Sequence, residues 1–338
     1  MKPLTKHLTA MMLTVGIVTG AQAATTLNLN HQWPATTTGS KVDQWFADEI
    51  AKRTDNEVKI RIFWSEGLGK AKEGLSLLQN GAIDMAAISP AYFPAQLPFF
   101  SAPNSIPMAI ETVDQANTLM KRLLKEVPAY TEEADANGIK ALFFHHLNPY
   151  VLVSREKIVS TDQVNGKKVR TWGADMPRMV QAVGGTPVTL MLPEIYESLS
   201  RGVVDAAPFA VDLVVNYKIY EVAKNISEIT LWEGPAWGIW ISKPAWQKLT
   251  PEQQKVFEEV ASEAMERDRN AVLAKGEQAR KTLIEKGVSF HSFPEVEKAK
   301  WRTALPDFFS DWIAQMDEQG KGDGARQTVG IWKEVVGE

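Results

Sequence analysis

Arg170 and Trp172 belong to a short stretch whose residue types suit recognition of a small carboxylate. Residues 166–173 read GKKVRTWG. The branched and aromatic residues favour a strand, and the glycine at each end favours a turn. Arg170 would offer a carboxylate a planar fork of donors, and Trp172 would supply a flat apolar wall beside it. A surface arginine on an edge strand is the alternative that this stretch alone leaves open.

Hydrophobic periodicity places the stretch in a chain that alternates strands and helices. The first strands are predicted at residues 26–31, 58–64 and 84–88, with helices at 40–53 and 71–79 between them. This β-α-β-α-β order predicts an open α/β sheet. Later strands are predicted at residues 139–144, 169–172, 203–207 and 234–242. A threonine N-cap, a proline at N1 and a glutamine at N3 predict a long helix over residues 251–286.

The ends of these strands gather a set of candidate ligand-binding residues. Ligands of open α/β sheets bind at the carboxyl ends of the strands. The residues at or just beyond those ends are His31, Trp33, Trp64, Ser89, Arg170, Trp172, Phe209 and Trp237. The set holds one firm cation and many aromatic rings, which indicates an anionic ligand with an apolar body. Aromatic residues of the core are the alternative, because the chain contains 11 tryptophans.

A short internal repeat suggests two similar lobes. Residues 78–84 and 199–205 both read Leu-x-x-Gly-x-aliphatic-Asp, and each follows a predicted helix and precedes a predicted strand. Two lobes facing each other would explain the repeat in a chain of 338 residues, which is long for one core. Helix–glycine–strand punctuation is common, so independent α/β turns are the alternative.

The composition excludes several classes of function. The chain has no cysteine and a formal net charge of −4, which excludes disulfides and thiolate sites and disfavours nucleic-acid binding. Residues 67–70 lack the spacing of a phosphate loop, and no Gly-x-Ser-x-Gly occurs. His145 and His146 are neighbours on a predicted strand and point to opposite faces, which is a poor metal site. We therefore expect no cofactor, no metal and no catalytic residues.

The first 23 residues have the pattern of a secretory signal peptide. Lys2 and Lys6 precede an apolar run over residues 8–18, and Ala-Gln-Ala at 21–23 supplies a cleavage pattern. The apolar run is short for a membrane span, although an uncleaved anchor is the alternative. We therefore expect cleavage after Ala23 and export.

Five motifs together resemble one family of exported binding proteins. They are residues 77–84 (LLQNGAID), 164–170 (VNGKKVR), 184–188 (GGTPV), 194–205 (EIYESLSRGVVD) and 246–255 (WQKLTPEQQK). In this order they resemble the extracytoplasmic solute receptors of tripartite ATP-independent periplasmic (TRAP) transporters, of the dicarboxylate-binding-protein (DctP) type. The resemblance covers nearly all of the chain after residue 23.

The resemblance implies a two-lobed α/β periplasmic binding protein, with a ligand cleft between the lobes and a long helix bracing both. It implies lobe I at residues 24–148, lobe II at 149–232, and a crossing strand, the long helix and C-terminal helices at 233–338. The family's arginine, which forms a salt bridge with the ligand carboxylate, matches Arg170. The implied partner is a membrane permease driven by an ion gradient, and the implied location is the periplasm.

Two departures from the family pattern point to the kind of ligand. Tyr150 stands where many members carry a second arginine, and Phe209 stands where many carry asparagine. A second buried carboxylate would lack a partner. We therefore expect an organic monocarboxylate with an aromatic or apolar body, unless Arg155 or Arg178 reaches the cleft. The alternatives are a small 2-hydroxy or 2-oxo acid, a dicarboxylate, an exported enzyme acting on a small acid, and a receptor that serves a sensor.

Overall fold

The computed structural model describes residues 24–337, so the predicted signal peptide lies outside the described residues. Within that range the chain forms two mixed β-sheets with helices packed on their faces. In chain order the strands are β1 (Thr25–His31), β2 (Val58–Phe63), β3 (Met85–Ile88), β4 (Ile139–His146), β5 (Tyr150–Ser154), β6 (Lys168–Thr171), β7 (Thr186–Thr189), β8 (Ala206–Ala210), β9 (Asn225–Trp232), β10 (Pro235–Ser242) and β11 (Ser289–Ser292).

Each sheet mixes parallel and antiparallel pairs. The first sheet has the order β2-β1-β3-β10-β4, in which β10 runs antiparallel to both of its neighbours. The second sheet has the order β11-β9-β5-β8-β6-β7, in which β5 runs antiparallel to β8 and β9. As a result, the carboxyl ends of β6, β8 and β9 lie at one edge of the second sheet, beside the start of β5. We call this edge the lobe II edge, and the matching edge at the ends of β1, β3 and β4 the lobe I edge.

Two short links join the sheets at these edges. Residues 147–149 connect β4 to β5, and residues 233–234 connect β9 to β10. His146 pairs with Pro235 in the first sheet, and Tyr150 pairs with Trp232 in the second. Because a residue spans at most about 3.6 Å, His146 and Tyr150 are no more than about 14 Å apart. The two edges therefore face each other across the links.

The helices include one that packs on both sheets. In chain order they are α1 (Thr38–Arg53), α2 (Gly74–Gln79), α3 (Pro98–Ser101), α4 (Val113–Glu126), α5 (Pro128–Ala136), α6 (Asp175–Gln181), α7 (Ile195–Ser200), α8 (Val211–Asn216), α9 (Lys243–Gln247), α10 (Pro251–Glu285), α11 (Glu295–Ala304), α12 (Phe308–Glu318) and α13 (Gly322–Val336). The 35-residue α10 buries Phe257 in the core of the first sheet and Leu283 in a core of the second. Of the helices in residues 24–337, none is long and apolar enough to cross a membrane.

The structure corrects several predicted strands. The strand predicted at 203–207 is Ala206–Ala210, because Gly202 adopts a φ of 70° and Val203 lies exposed in the following turn. The strand predicted at 169–172 is Lys168–Thr171, so Trp172 follows it. The strand predicted to cross between lobes lies wholly in the first sheet, and the link at 233–234 makes the crossing. Strands β5, β7, β9 and β11 were not predicted.

Candidate ligand-binding site

Arg170 is the last residue but one of β6, at the lobe II edge, and is almost completely buried, with 4% of its surface exposed. Its Nε donates a hydrogen bond to the carbonyl oxygen of Leu190 at 3.2 Å. Its guanidinium carbon lies 4.2 Å from the ring centroid of Trp172, a cation–π contact. Its Nη1 is buried without a hydrogen-bond partner among residues 24–337. One side of a fixed guanidinium is therefore unpaired.

An aromatic wall surrounds Tyr150 beside Arg170. The ring of Tyr150 lies 5.1 Å from that of Trp232, 5.5 Å from that of Trp172 and 6.3 Å from that of Phe209, all measured between centroids. These rings come from the ends of β9, β6 and β8 and the start of β5, which the sheet order brings to one edge. Tyr150, Trp172 and Trp232 offer a ligand an apolar surface next to one positive charge, whereas Phe209 is fully buried in a separate core cluster. Trp232 was not among the predicted site residues.

Burial sets the electrostatics of this wall. It lowers the pKa of Arg170 to about 10, which leaves the guanidinium charged at neutral pH. It raises the pKa of Tyr150 above its ordinary value, partly opposed by the charge of Arg170. Tyr150 therefore remains a neutral hydroxyl. The described residues supply no ion-pair partner for Arg170, so the site has a net positive charge.

The two other arginines considered for the site lie elsewhere. Arg178, on α6, forms ion pairs with Asp175 and Asp311. Arg155 follows the end of β5 opposite Tyr150 and lines a separate surface cavity of about 280 Å³. Neither arginine supplies a second positive charge beside Arg170.

The remaining predicted residues lie at the lobe I edge. His31 is fully buried, and its Nε2 lies 2.8 Å from Asp43 Oδ2 while its Nδ1 accepts the Trp33 N–H at 3.0 Å. Both ring nitrogens of His31 are therefore occupied by partners within the protein. Trp64 packs on the His31 ring at 4.6 Å, and Ser89 is buried directly after β3.

Trp237 and Trp33 form the aromatic part of this edge. Trp237 stacks on His145 with centroids 4.5 Å apart, and its Nε1 is buried without a partner in the described chain. Trp33 lies 5.8 Å from Trp237 and is 39% exposed. The predicted residues thus form two groups, one on each facing edge.

Unpaired polar atoms concentrate between the two groups. Eleven buried side-chain nitrogen and oxygen atoms in residues 24–337 have no hydrogen-bond partner, and nine of them lie at the facing edges or beside the links. These nine belong to Gln32, Asn104, His146, Arg170, Thr171, Glu233 and Trp237. Because buried polar groups are normally paired, this concentration makes the region the candidate binding site.

Sequence reasoning missed most of these polar residues. Of the seven, only Arg170 and Trp237 were candidate ligand contacts, and His146 was weighed only as a metal ligand. Glu233 had one usable signal, since it is an isolated acid between two apolar strands in the run Trp-Glu-Gly-Pro. In the described part of the chain, no three side chains of metal-binding type converge on a common point.

Comparison with known proteins identifies the class. The model of the family described as "Bacterial extracellular solute-binding protein, family 7" (DctP) matches residues 29–315. The chain belongs to this family, which confirms the prediction from the motifs.

Two curated relatives cover most of the chain. A solute-binding protein of Chromohalobacter salexigens is 24% identical over 91% of this chain and 90% of its own. The 2,3-diketo-L-gulonate-binding periplasmic protein of Escherichia coli is 24% identical over 89% of this chain and 91% of its own.

Solved structures share the two-lobed fold. A TRAP periplasmic solute-binding protein from Desulfovibrio salexigens, in an open complex, has a TM-score of 0.84 at 19% identity and covers 93% of this chain and 96% of its own. A marine metagenome TRAP solute-binding protein specific for aromatic acids, in complex with metahydroxyphenylacetate, has a TM-score of 0.76 at 19% identity, with 93% and 98% covered. The predicted two-lobed α/β fold with a long helix is confirmed.

Proposed function

We propose that the protein is a periplasmic receptor that binds an organic monocarboxylate and delivers it to a TRAP membrane permease driven by an ion gradient. The observation that carries this proposal is Arg170, a charged guanidinium that is buried and whose Nη1 has no hydrogen-bond partner in the part of the chain that the structure describes. A buried charge without a counter-charge is costly, and a ligand carboxylate would supply both the charge and the missing hydrogen bond.

The surroundings of Arg170 favour a ligand with an aromatic or apolar body. Tyr150, Trp172 and Trp232 give one neutral wall, and Trp33 and Trp237 lie at the facing edge. A second ligand carboxylate would enter a region that already holds the buried, unpaired Glu233. Beside Glu233 the described residues supply no second cation for that carboxylate, and burying it unpaired would be costly, so a monocarboxylate fits better than a C4-dicarboxylate.

The lobe boundaries are part of the same proposal. Lobe I would comprise residues 24–148 and lobe II residues 149–232, with 233–338 packing on both. The two links at 147–149 and 233–234 fall at these boundaries and would act as the hinge. The ligand would contact Arg170 and Tyr150 from lobe II, and Trp33 and Trp237 from lobe I.

A panel of acids tests the proposal. Purified protein would be screened by thermal shift against phenylacetate, mandelate, lactate, a short 2-oxo acid, succinate and malate, with calorimetry on every hit. A ligand at 1,000-fold excess over its Kd should stabilise the fold by about 4 kcal/mol. We expect an aromatic monocarboxylate to bind most tightly. Tightest binding of succinate or malate would show that Tyr150 and Phe209 do not exclude dicarboxylates.

The second candidate function is an exported enzyme acting on a small acid. The family consists of solute-binding receptors, and the site holds no activated nucleophile among the described residues. Product formation from any acid of the panel, followed by chromatography over several hours, would favour the enzyme over the receptor.

A further inference from the structure

Glu233 occupies the link between β9 and β10 and is 1% exposed. Both of its carboxyl oxygens are buried without a hydrogen-bond partner in residues 24–337. A carboxyl group in this position destabilises the fold, because it has lost its hydrogen bonds to water and gained none in the protein. An apolar group at the same position would not have this cost. Its position between the two facing edges suggests that it serves the ligand.

His146 provides a second unpaired group close to this link. It ends β4 opposite Pro235, two residues after Glu233, and is 1% exposed. Its backbone N–H donates to Asp268 Oδ2 at 2.9 Å, which holds the residue in place, whereas both ring nitrogens lack a partner in the described chain. The ring is therefore fixed but unsatisfied.

Burial disfavours the charged form of both groups. It raises the pKa of Glu233 well above the ordinary value and lowers the pKa of His146 to about 4. A neutral carboxyl group and a neutral imidazole each present one donor and one acceptor. A ligand group that pairs with both must be neutral and must both donate and accept hydrogen bonds. A hydroxyl group meets these requirements.

Tyr150 connects this pair of groups to the carboxylate site. It pairs in register with Trp232, the neighbour of Glu233, and their rings are 5.1 Å apart. The ring of Tyr150 also lies 5.5 Å from that of Trp172, which stacks on Arg170. Tyr150 therefore lies between the strand end that carries Trp232 and the arginine site.

We propose that Glu233 and His146 bind a hydroxyl group of the ligand, so that the receptor selects hydroxylated monocarboxylates over their deoxy counterparts. This inference rests on the proposed function, because it assumes that Arg170 holds the carboxylate. It adds a specificity-determining pair that the carboxylate contact does not explain. A site built to hydrogen-bond a hydroxyl rejects the analogue without it, because buried polar groups are then left unpaired.

Matched ligand pairs test the inference on the unaltered protein. Calorimetry would compare mandelate and 3-hydroxyphenylacetate with phenylacetate, and lactate with propionate. We expect the hydroxylated acid to bind at least about tenfold more tightly in at least one pair. Equal affinity within every pair would overturn the inference and leave the proposed function intact. Absence of binding by all of these acids would instead overturn the proposed function, and the inference with it.

Glu233→Met tests the assigned residue, because methionine has a similar length without hydrogen-bonding oxygens. We expect the preferred hydroxylated acid to lose at least about tenfold in affinity while its deoxy counterpart changes less than about twofold. The control is Glu228→Met on β9, the strand that leads into the link, where the side chain pairs with Arg280 at the surface. It should leave both affinities unchanged.

Two further results decide the matter. Glu233→Gln keeps one acceptor and two donors, so it should retain part of the preference for the hydroxylated acid. The ligand-free Glu233→Met protein should unfold at the same or a higher temperature than the unaltered protein. An unchanged ratio of affinities in Glu233→Met would exclude Glu233 from the site. If that variant does not fold, the ligand pairs and Glu233→Gln still decide the question.

Discussion

The imidazole of His145 lies between two carboxylates at the lobe I edge. Its Nε2 is 2.8 Å from Asp43 Oδ1, and its Nδ1 is 2.7 Å from Asp268 Oδ1. All three side chains are buried, and they tie α1 and α10 to β4. Burial alone would lower the pKa of His145, but the charges of Asp43 and Asp268 raise it to about 10. His145 is therefore a buried cation at neutral pH.

This arrangement predicts a loss of stability at alkaline pH. Because the folded-state pKa of His145 is raised, its contribution is complete below the ordinary value of 6.5 and is lost as pH rises towards about 10. The free energy of unfolding should fall by up to about 1.4 kcal/mol per pH unit between pH 7 and 9.5. Urea denaturation at several pH values measures this slope.

The matched variants for this prediction are His145→Gln and His291→Gln. His145→Gln should cost about 3–5 kcal/mol at pH 7 and flatten the slope, because it leaves buried carboxylates without their cation. His291→Gln, at the bond to Asn225 on β9, should keep the slope. A flat profile for the unaltered protein between pH 7 and 9.5 would contradict the assignment of a buried imidazolium.

Residue types predict the proposed carboxylate contact but not the buried charges. Arg170 was predictable because a strand, two glycines and a neighbouring tryptophan frame it in eight consecutive residues. Asp43 and His145 are 102 positions apart, and nothing near either residue indicates the other. Pairings of this kind arise only when helices pack on sheets. The contact of His31 with Asp43 likewise could not be predicted from the residues near His31.

The N-terminus of α10 shows what can be predicted for a single element. Thr250 Oγ1 accepts the N–H of Gln253 at 3.2 Å, and Gln253 Oε1 accepts the N–H of Thr250 at 3.1 Å. This is the capping box that the sequence predicted. It satisfies two backbone donors that the first turn would otherwise leave exposed.

Thr250→Ala should therefore destabilise the protein by about 1 kcal/mol. Urea denaturation measures this change as a lower midpoint of the unfolding transition with an unchanged m-value. The matched control is Thr282→Ala near the end of the same helix, where the hydroxyl donates only to the carbonyl of Gln278. It should change stability by less than about 0.5 kcal/mol. Equal effects of the two substitutions would show that the cap contributes nothing specific.

Elements with strong local signals were predicted, and those set by pairing were not. The alternating strand at 58–64 and the capped α10 have clear local patterns. In contrast, β7 contains Pro187 and is the outermost strand of its sheet, a position where proline is tolerated. Strand β5 pairs with β8 and β9, which lie far from it in the sequence. Its central position therefore could not be predicted from its own residues.

At the scale of the whole molecule, α10 contacts the link between the sheets at Gly276. A Cβ at Gly276 would lie 2.3 Å from Asn148 Oδ1, in the link at 147–149. Asn148 in turn donates from Nδ2 to Asp212 on α8 at 3.1 Å. The absence of a side chain at Gly276 therefore lets the helix approach the link closely.

Gly276→Ala should destabilise the protein by about 1–3 kcal/mol, because the added methyl displaces Asn148 from Asp212 and overpacks the link. The control is Gly330→Ala on α13, where a Cβ would have nothing within 4 Å. That substitution should stabilise the protein by about 0.5–1 kcal/mol. Denaturant unfolding measures both changes. Stabilisation by Gly276→Ala would contradict the close contact between helix and link.

The internal repeat was an accurate indication of the large-scale organisation. Gly81 and Gly202, at equivalent positions of the repeat, have φ values of 74° and 70°. Each follows a short helix, α2 or α7, and precedes a strand, β3 or β8, of a different sheet. The crossings were harder to predict, because the links at 147–149 and 233–234 have no distinctive composition.

Calorimetric titration of Arg170→Ala tests the central claim most directly. The titrant is the acid of the panel that binds most tightly to the unaltered protein. We expect the binding free energy to weaken by about 2–5 kcal/mol, which lowers the affinity roughly 30-fold to several-thousand-fold. Circular dichroism should show that the fold is intact. Arg170→Lys should also be impaired, since lysine lacks the planar fork. Arg201→Ala, at an exposed arginine of the same lobe, is the control and should bind normally. Unchanged affinity in Arg170→Ala would contradict the account.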